Sequence, residues 1–339
     1  MLFNVLNLKK RLMRRIMFLA ILASICSVSL AQNNSSKDLY LTKSFSDVGF
    51  KKIDAETTHG DIAVSVVPVA ETRIEVYVRS SNSYDMLSKE QIQKKLDEYY
   101  TISVSLTGDA LRAVAHRKKD FPDGMNSLRI SFMIYTTKDK SATLNSDHGN
   151  IDLSGMEGNQ QLHTDHGDIS ADHIVGKLYA VTDHGNVTVK ESNNDIDIRT
   201  DHGDLMLSNV KGKMHAVTDH GNVTGQMLDG VLYATTSHGD VDLRNLTCSV
   251  ETSTDHGNVN VSVDKISGDI KAGNSHGDIS MHLPAGSGLN LDLHGKGVSM
   301  NSKDVFSGTV NKDEVEGTLN GGGTNVKANT DKGEISLKF

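Results

Sequence analysis

Apolar and polar residues alternate in short bursts along most of this chain. Between Asn186 and Gly203, Val187 and Val189 alternate with polar neighbours, and so do Ile196 and Ile198. Side-chain direction along a strand has period two, so each burst predicts a short half-buried strand. Turn-forming residues separate the bursts, and the segment reads strand, turn, strand, turn. The whole unit then returns. The dipeptide His-Gly recurs at His148, His166, His184, His202, His220, His238, His256, His276 and His294, every 18 residues apart from one spacing of 20. A fixed short period predicts a repeat architecture in which each unit buries its apolar face on the next.

Aligning the units gives columns. Ile151, Ile169, Val187, Leu205, Val223, Val241, Val259 and Ile279 follow the His-Gly corner, and Leu178, Ile196, Met214, Leu232 and Val250 align in the other strand. These columns are apolar, as inward positions of a stack must be. Glycine fills two further columns, one from Gly149 onward and one at Gly158, Gly176, Gly212, Gly230, Gly268 and Gly286, with Asn194 and Cys248 as exceptions. Glycine and then asparagine best tolerate positive φ, so the pattern predicts two corners per unit. The fold expected is all-β: a parallel β-helix, or β-solenoid, with 18-residue coils occupying residues 146–295.

The ends are less regular. Lys9, Lys10, Arg11, Arg14 and Arg15 precede an apolar run from Ile16 to Leu30 and a small-x-small site at Ser29-Leu30-Ala31, so residues 1–31 read as a secretory signal peptide. A polar linker, 32–39, comes next. Residues 40–145 read as irregular N-terminal coils, or as a separate small β domain, with strands at Ile62–Val66, Arg73–Val78, Ile102–Leu106 and Leu128–Tyr135. A helix is expected over 88–100, because Ser88 and Gln91 have capping-box spacing and Ile92, Leu96 and Tyr99 share one face. The period dissolves after Gly295, and residues 296–339 read as C-terminal capping coils. Within them Thr330-Asp331-Lys332-Gly333-Glu334-Ile335 restates the corner with lysine in place of histidine.

Charge narrows the partners. Removing residues 1–31 takes five basic residues and no acidic one from totals of 35 and 43, leaving a formal net charge of −13. That argues against nucleic acid. A single cysteine, Cys248, would remain, so no intrachain disulfide is expected, and no second apolar run is long enough to span a bilayer.

The export signal, the first Gly60-to-Val64 corner, the irregular section with a helix, and serial corners such as Thr164 to Ile169 and Thr182 to Val187 together resemble the bacterial putative-adhesin family of β-strand repeats, a domain family of uncharacterised function. The resemblance covers roughly residues 40–339. It implies a parallel β-helix exposed beyond the inner membrane, in the periplasm, on the outer-membrane surface or secreted, and it carries no catalytic residues to transfer. Histidine before nearly every corner glycine is a departure from the family.

The corners hold the candidate chemistry. Asp147-His148, Asp165-His166, Asp183-His184, Asp201-His202 and Asp219-His220 would line one edge, and both residue types are good ligands for divalent transition metals. The competing reading is a structural ladder, with aspartates accepting backbone N–H groups and imidazoles packing face to face. Residues after the corner glycine alternate between Asn and Asp from Asn150 to Asp278, which dilutes a charged column. A threonine column, Thr164 to Thr254, has inward parity. The resulting expectation is a non-enzymatic exported protein, an adhesin or envelope scaffold with an unidentified surface partner and no cofactor. A divalent-metal-binding protein using the corner column is the alternative. A polysaccharide-active β-helix enzyme ranks third, because Trp is absent and uniform coils leave no loops to build a cleft.

Overall fold

The computed structural model describes residues 38–46, 49–68, 71–82, 87–118 and 127–339. The expected signal peptide and residues 32–37 of the linker lie outside the described residues. Within them the fold is all-β, one continuous hydrogen-bonded sheet system of 27 strands with one short helix.

From Ser141 to His282 every pairing is parallel. Long strands such as Leu178–His184 pair with Gln160–His166 before them and Ile196–His202 after them. Short strands such as Ile169–Asp172 do the same with Ile151–Ser154 and Val187–Asn193. Like residues therefore meet: Ile169 lies against Val187, Leu178 against Ile196, and His184 against His202. The apolar columns are the core, with Leu162, Val187, Ile198, Leu205 and Ala216 at 1% exposure or less. Fully burying an aliphatic side chain contributes about 1.5–3 kcal/mol, and each coil gains this only from its neighbours.

The stack bends three times per coil, where the glycine pattern predicts two corners. The additional bend lies at Gly155, His173, Glu191, Asn209, Met227 and Asn245, all with φ between 48° and 82°. Just inside it runs a further interior column: Met156, Ile174, Ser192, Val210, Leu228 and Leu246, all buried. Ser192 is accommodated because its hydroxyl accepts from Ile174 N and donates to Lys190 O. Positive φ is not the reason for every corner glycine. The Gly203 φ of 159° is only marginally left-handed, but a Cβ there would sit 2.0 Å from the Gly185 carbonyl oxygen. Close approach of successive corners thus excludes any side chain.

The N-terminal region joins the stack directly and then departs from it. Lys52–His59 and Ile62–Val66 lie in parallel on Ser141–His148 and Ile151–Ser154, with His59 opposite His148. Ala110–Arg117 and Leu128–Thr136 add a further parallel layer on Lys52–His59 and Ile62–Val66. The strands beyond them are antiparallel: Glu71–Ser80 pairs with Leu128–Thr136 and Leu39–Ser46, and Tyr100–Thr107 forms a hairpin with Ala110–Arg117. Between them α1 (Lys89–Tyr99) starts on a capping box made by Ser88 and Gln91 and buries Leu96.

The C-terminal end differs from a simple cap. Thr324–Thr330 and Glu334–Lys338 pair in parallel with Ile270–His276 and Ile279–His282 on one side, and with Leu289–His294 and Gly297–Asn301 on the other. The last coil in sequence is therefore inserted into the stack, and the coil holding His294 lies outside it. His294 is opposite Asn329 and has left the histidine column. Thr330 and Gly333 reproduce the contacts of the preceding corners on Gly277.

Candidate functional site

Three ladders meet at the corner edge. Inside, Thr164, Thr182, Thr200, Thr218, Thr236 and Thr254 are buried, and each hydroxyl donates to the corner-glycine carbonyl of the coil before it at 2.8–3.0 Å. Thr330 continues the ladder on Gly277 O at 3.0 Å. Burial removes this column from any surface role.

On the outer side of the glycines the alternating Asn and Asp residues form a second ladder. Asn150 Oδ1 accepts from Asp168 N at 3.0 Å, Asp168 Oδ1 from Asn186 N at 2.8 Å, and Asn186 Oδ1 from Asp204 N at 2.8 Å. The pattern runs from Asp61 through Asp278, whose Oδ1 accepts from Glu334 N. Either residue type can accept such a bond, so capping requires only the side-chain oxygen. Near the start of this ladder Asp61 is held by Arg129 at 2.7 Å. The carboxyl of Asp152 is pushed up to about 6 by burial, with the charges of Asp61 and Asp168 adding to it.

The third ladder is the histidines. His59, His148, His166, His184, His202, His220, His238, His256 and His276 stack face to face, with ring centroids 4.5–5.0 Å apart and interplanar angles of 1–13°. Each end of the column meets a cation. Arg117 Nη2 lies 3.0 Å from His59 Nε2, and Lys332 Nζ lies 2.8 Å from His276 Nε2. Burial, then the charges of Arg117, His148 and Arg129, hold His59 down at about 4.

The ten sequence candidates fall on this edge. His148, His166, His184, His202 and His220 are exposed and share the column. Asp147, Asp201 and Asp219 are exposed, Asp165 and Asp183 half-buried, and Asp165 Oδ1 lies 3.2 Å from His163 Nε2. Among the described residues no three His, Cys, Asp or Glu side chains converge on one point. Neighbouring rings also stand slightly too far apart to share an ion, because two nitrogens each about 2.1 Å from a zinc-class metal span at most about 4.2 Å.

A second feature escaped the sequence reading. Outward positions of the long strands align as Gln161, Tyr179, Asp197, His215, Tyr233, Glu251 and Lys271, a column in which no residue type persists. Asp197 forms a two-point pair with Arg199 at 2.9 and 3.0 Å and meets His215 Nδ1 at 3.2 Å. His215 in turn contacts Tyr233 edge-on at 6.4 Å. Arginine and histidine hydrogen bonds favour ionised Asp197 and outweigh its desolvation, so its carboxyl is held below the ordinary range. Tyr179 and Tyr233 remain 45% and 37% exposed. The signal was available as an aligned outward column where repetition lapses.

Surface hollows elsewhere offer little chemistry. One lies over α1, lined by Lys89, Glu90, Gln93, Lys94, Asp97 and Glu98. Another, of about 450 Å³, is lined by His294, Lys296, Asp313 and Thr330 among others. There His294 Nε2 meets Asp292 at 2.7 Å, and the Thr330 hydroxyl donates inward to Gly277 O. Cys248 is buried and its thiol is pushed up to about 12, chiefly by desolvation, which leaves it unreactive.

Comparison with known proteins gives a family and a set of solved structures. Residues 175–338 match the family model Toastrack DUF4097. A "putative adhesin" from Bacteroides fragilis is 16% identical, with 89% of this chain and 97% of that one covered and a TM-score of 0.31. A "putative adhesin" from Parabacteroides merdae is 14% identical, covering 89% and 97%, with a TM-score of 0.29. A "putative lipid binding protein" from Parabacteroides distasonis is 9% identical, covering 88% and 96%, with a TM-score of 0.36. No curated protein matches the chain.

Proposed function

Taking residues 175–338 as a Toastrack DUF4097 domain, a family of unknown function, we propose that the protein is a non-enzymatic, exported β-solenoid of 18-residue coils that binds a cell-envelope partner along its long-strand face. The observation that carries this reading is the contrast between columns. Inward residues, corner threonines, capping Asn and Asp, and stacked histidines all repeat, and each repeat has a bond or packing contact that accounts for it. Outward strand columns change from coil to coil, among them the long-strand column from Gln161 to Lys271.

That column presents a prearranged group, Arg199–Asp197–His215–Tyr233, with Tyr179 exposed nearby. Tyrosine and arginine are the residue types enriched where proteins recognise partners, because they bring large contact area and directional hydrogen bonds. Holding them on strands rather than loops lowers the ordering cost of binding. Export is supported by the basic and apolar segments of residues 1–31. No helix among the described residues is long and apolar enough to cross a membrane.

The test has two parts. Expressed with residues 1–31 in a bacterial host, the protein should leave the cytoplasm with Gln32 as its new N-terminus. The purified chain should then cosediment saturably with isolated envelope fragments without releasing reducing ends from them. Cytoplasmic retention contradicts export, and glycan cleavage contradicts the non-enzymatic reading.

A further inference from the structure

The histidine edge has a chemistry that recognition by the long-strand face does not require. The two ends of the column show what its ring nitrogens bind. Lys332 and Arg117 each direct a cationic N–H group at an Nε2 atom, at 2.8 and 3.0 Å. Ammonium and guanidinium have no lone pair to offer, so each Nε2 is the acceptor and each terminal ring is the neutral form protonated at Nδ1. The rings between them repeat by translation along in-register strands, with planes within 3° of one another from His148 to His256. The intervening seven rings therefore turn the same edge outward. Neutral imidazole nitrogen is a ligand for borderline-soft dications and a poor one for calcium, which takes six to eight oxygens.

We propose that the edge from His148 to His256 is a binding comb for zinc-class divalent transition metals, taken up by neighbouring pairs of imidazoles. Centroid spacings of 4.7–5.0 Å exceed the roughly 3.4 Å between two nitrogens on a tetrahedral zinc-class ion by about 1.5 Å. A tilt of two exposed rings toward each other closes that gap without moving the strands. Ring pairs supply two ligands, and water or a neighbouring aspartate such as Asp201 completes a tetrahedral set. The carboxylates at Asp147, Asp165, Asp183, Asp201 and Asp219 also offset the charge that bound dications bring. One oxygen of each of Asp168, Asp204 and Asp240 already accepts a backbone N–H group, which reduces what these carboxylates offer to calcium.

Equilibrium dialysis of the full chain against zinc at pH 7.5, followed by metal analysis, tests the proposal. Seven rings form at most three separate pairs, so about three zinc ions per chain are expected, with no comparable uptake of calcium. The double variant H184Q/H202Q should lose about one ion while H116Q, outside the column, loses none. Absence of zinc from the unmodified chain, or equal uptake by H184Q/H202Q, overturns the proposal. If that variant does not fold, histidine-selective NMR of the unmodified chain decides. Zinc must shift the column imidazole signals, and unmoved signals overturn the assignment. Neither outcome bears on envelope binding through the Tyr179 face.

Discussion

The Thr200 hydroxyl donates to the Gly185 carbonyl at 2.9 Å, joining two coils through a corner whose oxygen faces inward. The coil-to-coil approach that makes this bond also excludes a Cβ at Gly203, so one corner is set by the two residues together. Replacing Thr200 with valine keeps the volume and leaves the Gly185 oxygen without that donor. The expected loss is about 1–2 kcal/mol of unfolding free energy, measured by urea denaturation. An unchanged midpoint would mean that water or a neighbour satisfies the carbonyl.

Met227 sits at a bend with φ of 54° and is 51% exposed. A side chain gains little there and bears the left-handed penalty of about 1–2 kcal/mol. Met227→Gly should therefore stabilise the chain by roughly 0.5–1 kcal/mol, after part of the gain is lost to the more flexible unfolded glycine. A lower melting temperature would show that Met227 packs more than its exposure indicates.

Alternation of Asn and Asp in the capping ladder keeps like charges two coils apart. Asn222→Asp preserves the oxygen that accepts from Asp240 N but places three carboxylates in succession at 204, 222 and 240. Two new repulsions of about 0.9 kcal/mol each at strand spacing are expected at low ionic strength. Salt near 1 M should remove most of the difference. A destabilisation that does not respond to salt would point to lost hydrogen bonding instead.

Two groups give opposite pH dependences. Asp152, raised to about 6 against an ordinary 3.8, is protonated in the folded chain first, so it penalises the fold above pH 6 and the penalty fades as pH falls toward 3.8. Asp152→Asn should raise stability at pH 7.5 by about 2 kcal/mol, and the gain should vanish near pH 4. His59, lowered to about 4 from 6.5, is protonated in the unfolded chain first, so its contribution is present above pH 6.5 and lost between 6.5 and 4. His59→Gln should flatten that acid loss. Urea midpoints of both variants across pH 4–8 check the signs, and a shared direction would contradict them.

Much of this architecture was legible because repetition turns single residues into columns. Ile169, Val187 and Leu205 announce an inward position together where one of them would not, and the threonine parity placed that column inside. The third bend was hidden because His173, Glu191, Asn209 and Met227 share a backbone conformation and no chemistry. Insertion of the last coil was hidden for another reason. Contacts such as Glu334 to Asp278 bridge 56 residues, and local pattern cannot rank that pairing against the nearer segment around Gly295. At the edge, face-to-face stacking of the histidines follows from in-register strands. Their cationic ends depend on Arg117, which a separate hairpin delivers, and on Lys332, which the inserted coil delivers.

Recognition is assigned to the outward long-strand face, where repetition lapses. The most direct measurement compares the unmodified chain with the double variant Y179S/Y233S in saturable binding to isolated envelope fragments, with melting temperatures recorded alongside. Both tyrosines are exposed, so the variant should fold with a melting temperature close to the original. Binding should weaken at least tenfold, about 1.4 kcal/mol. Undiminished binding by a folded Y179S/Y233S chain would contradict the assignment and move recognition off this face.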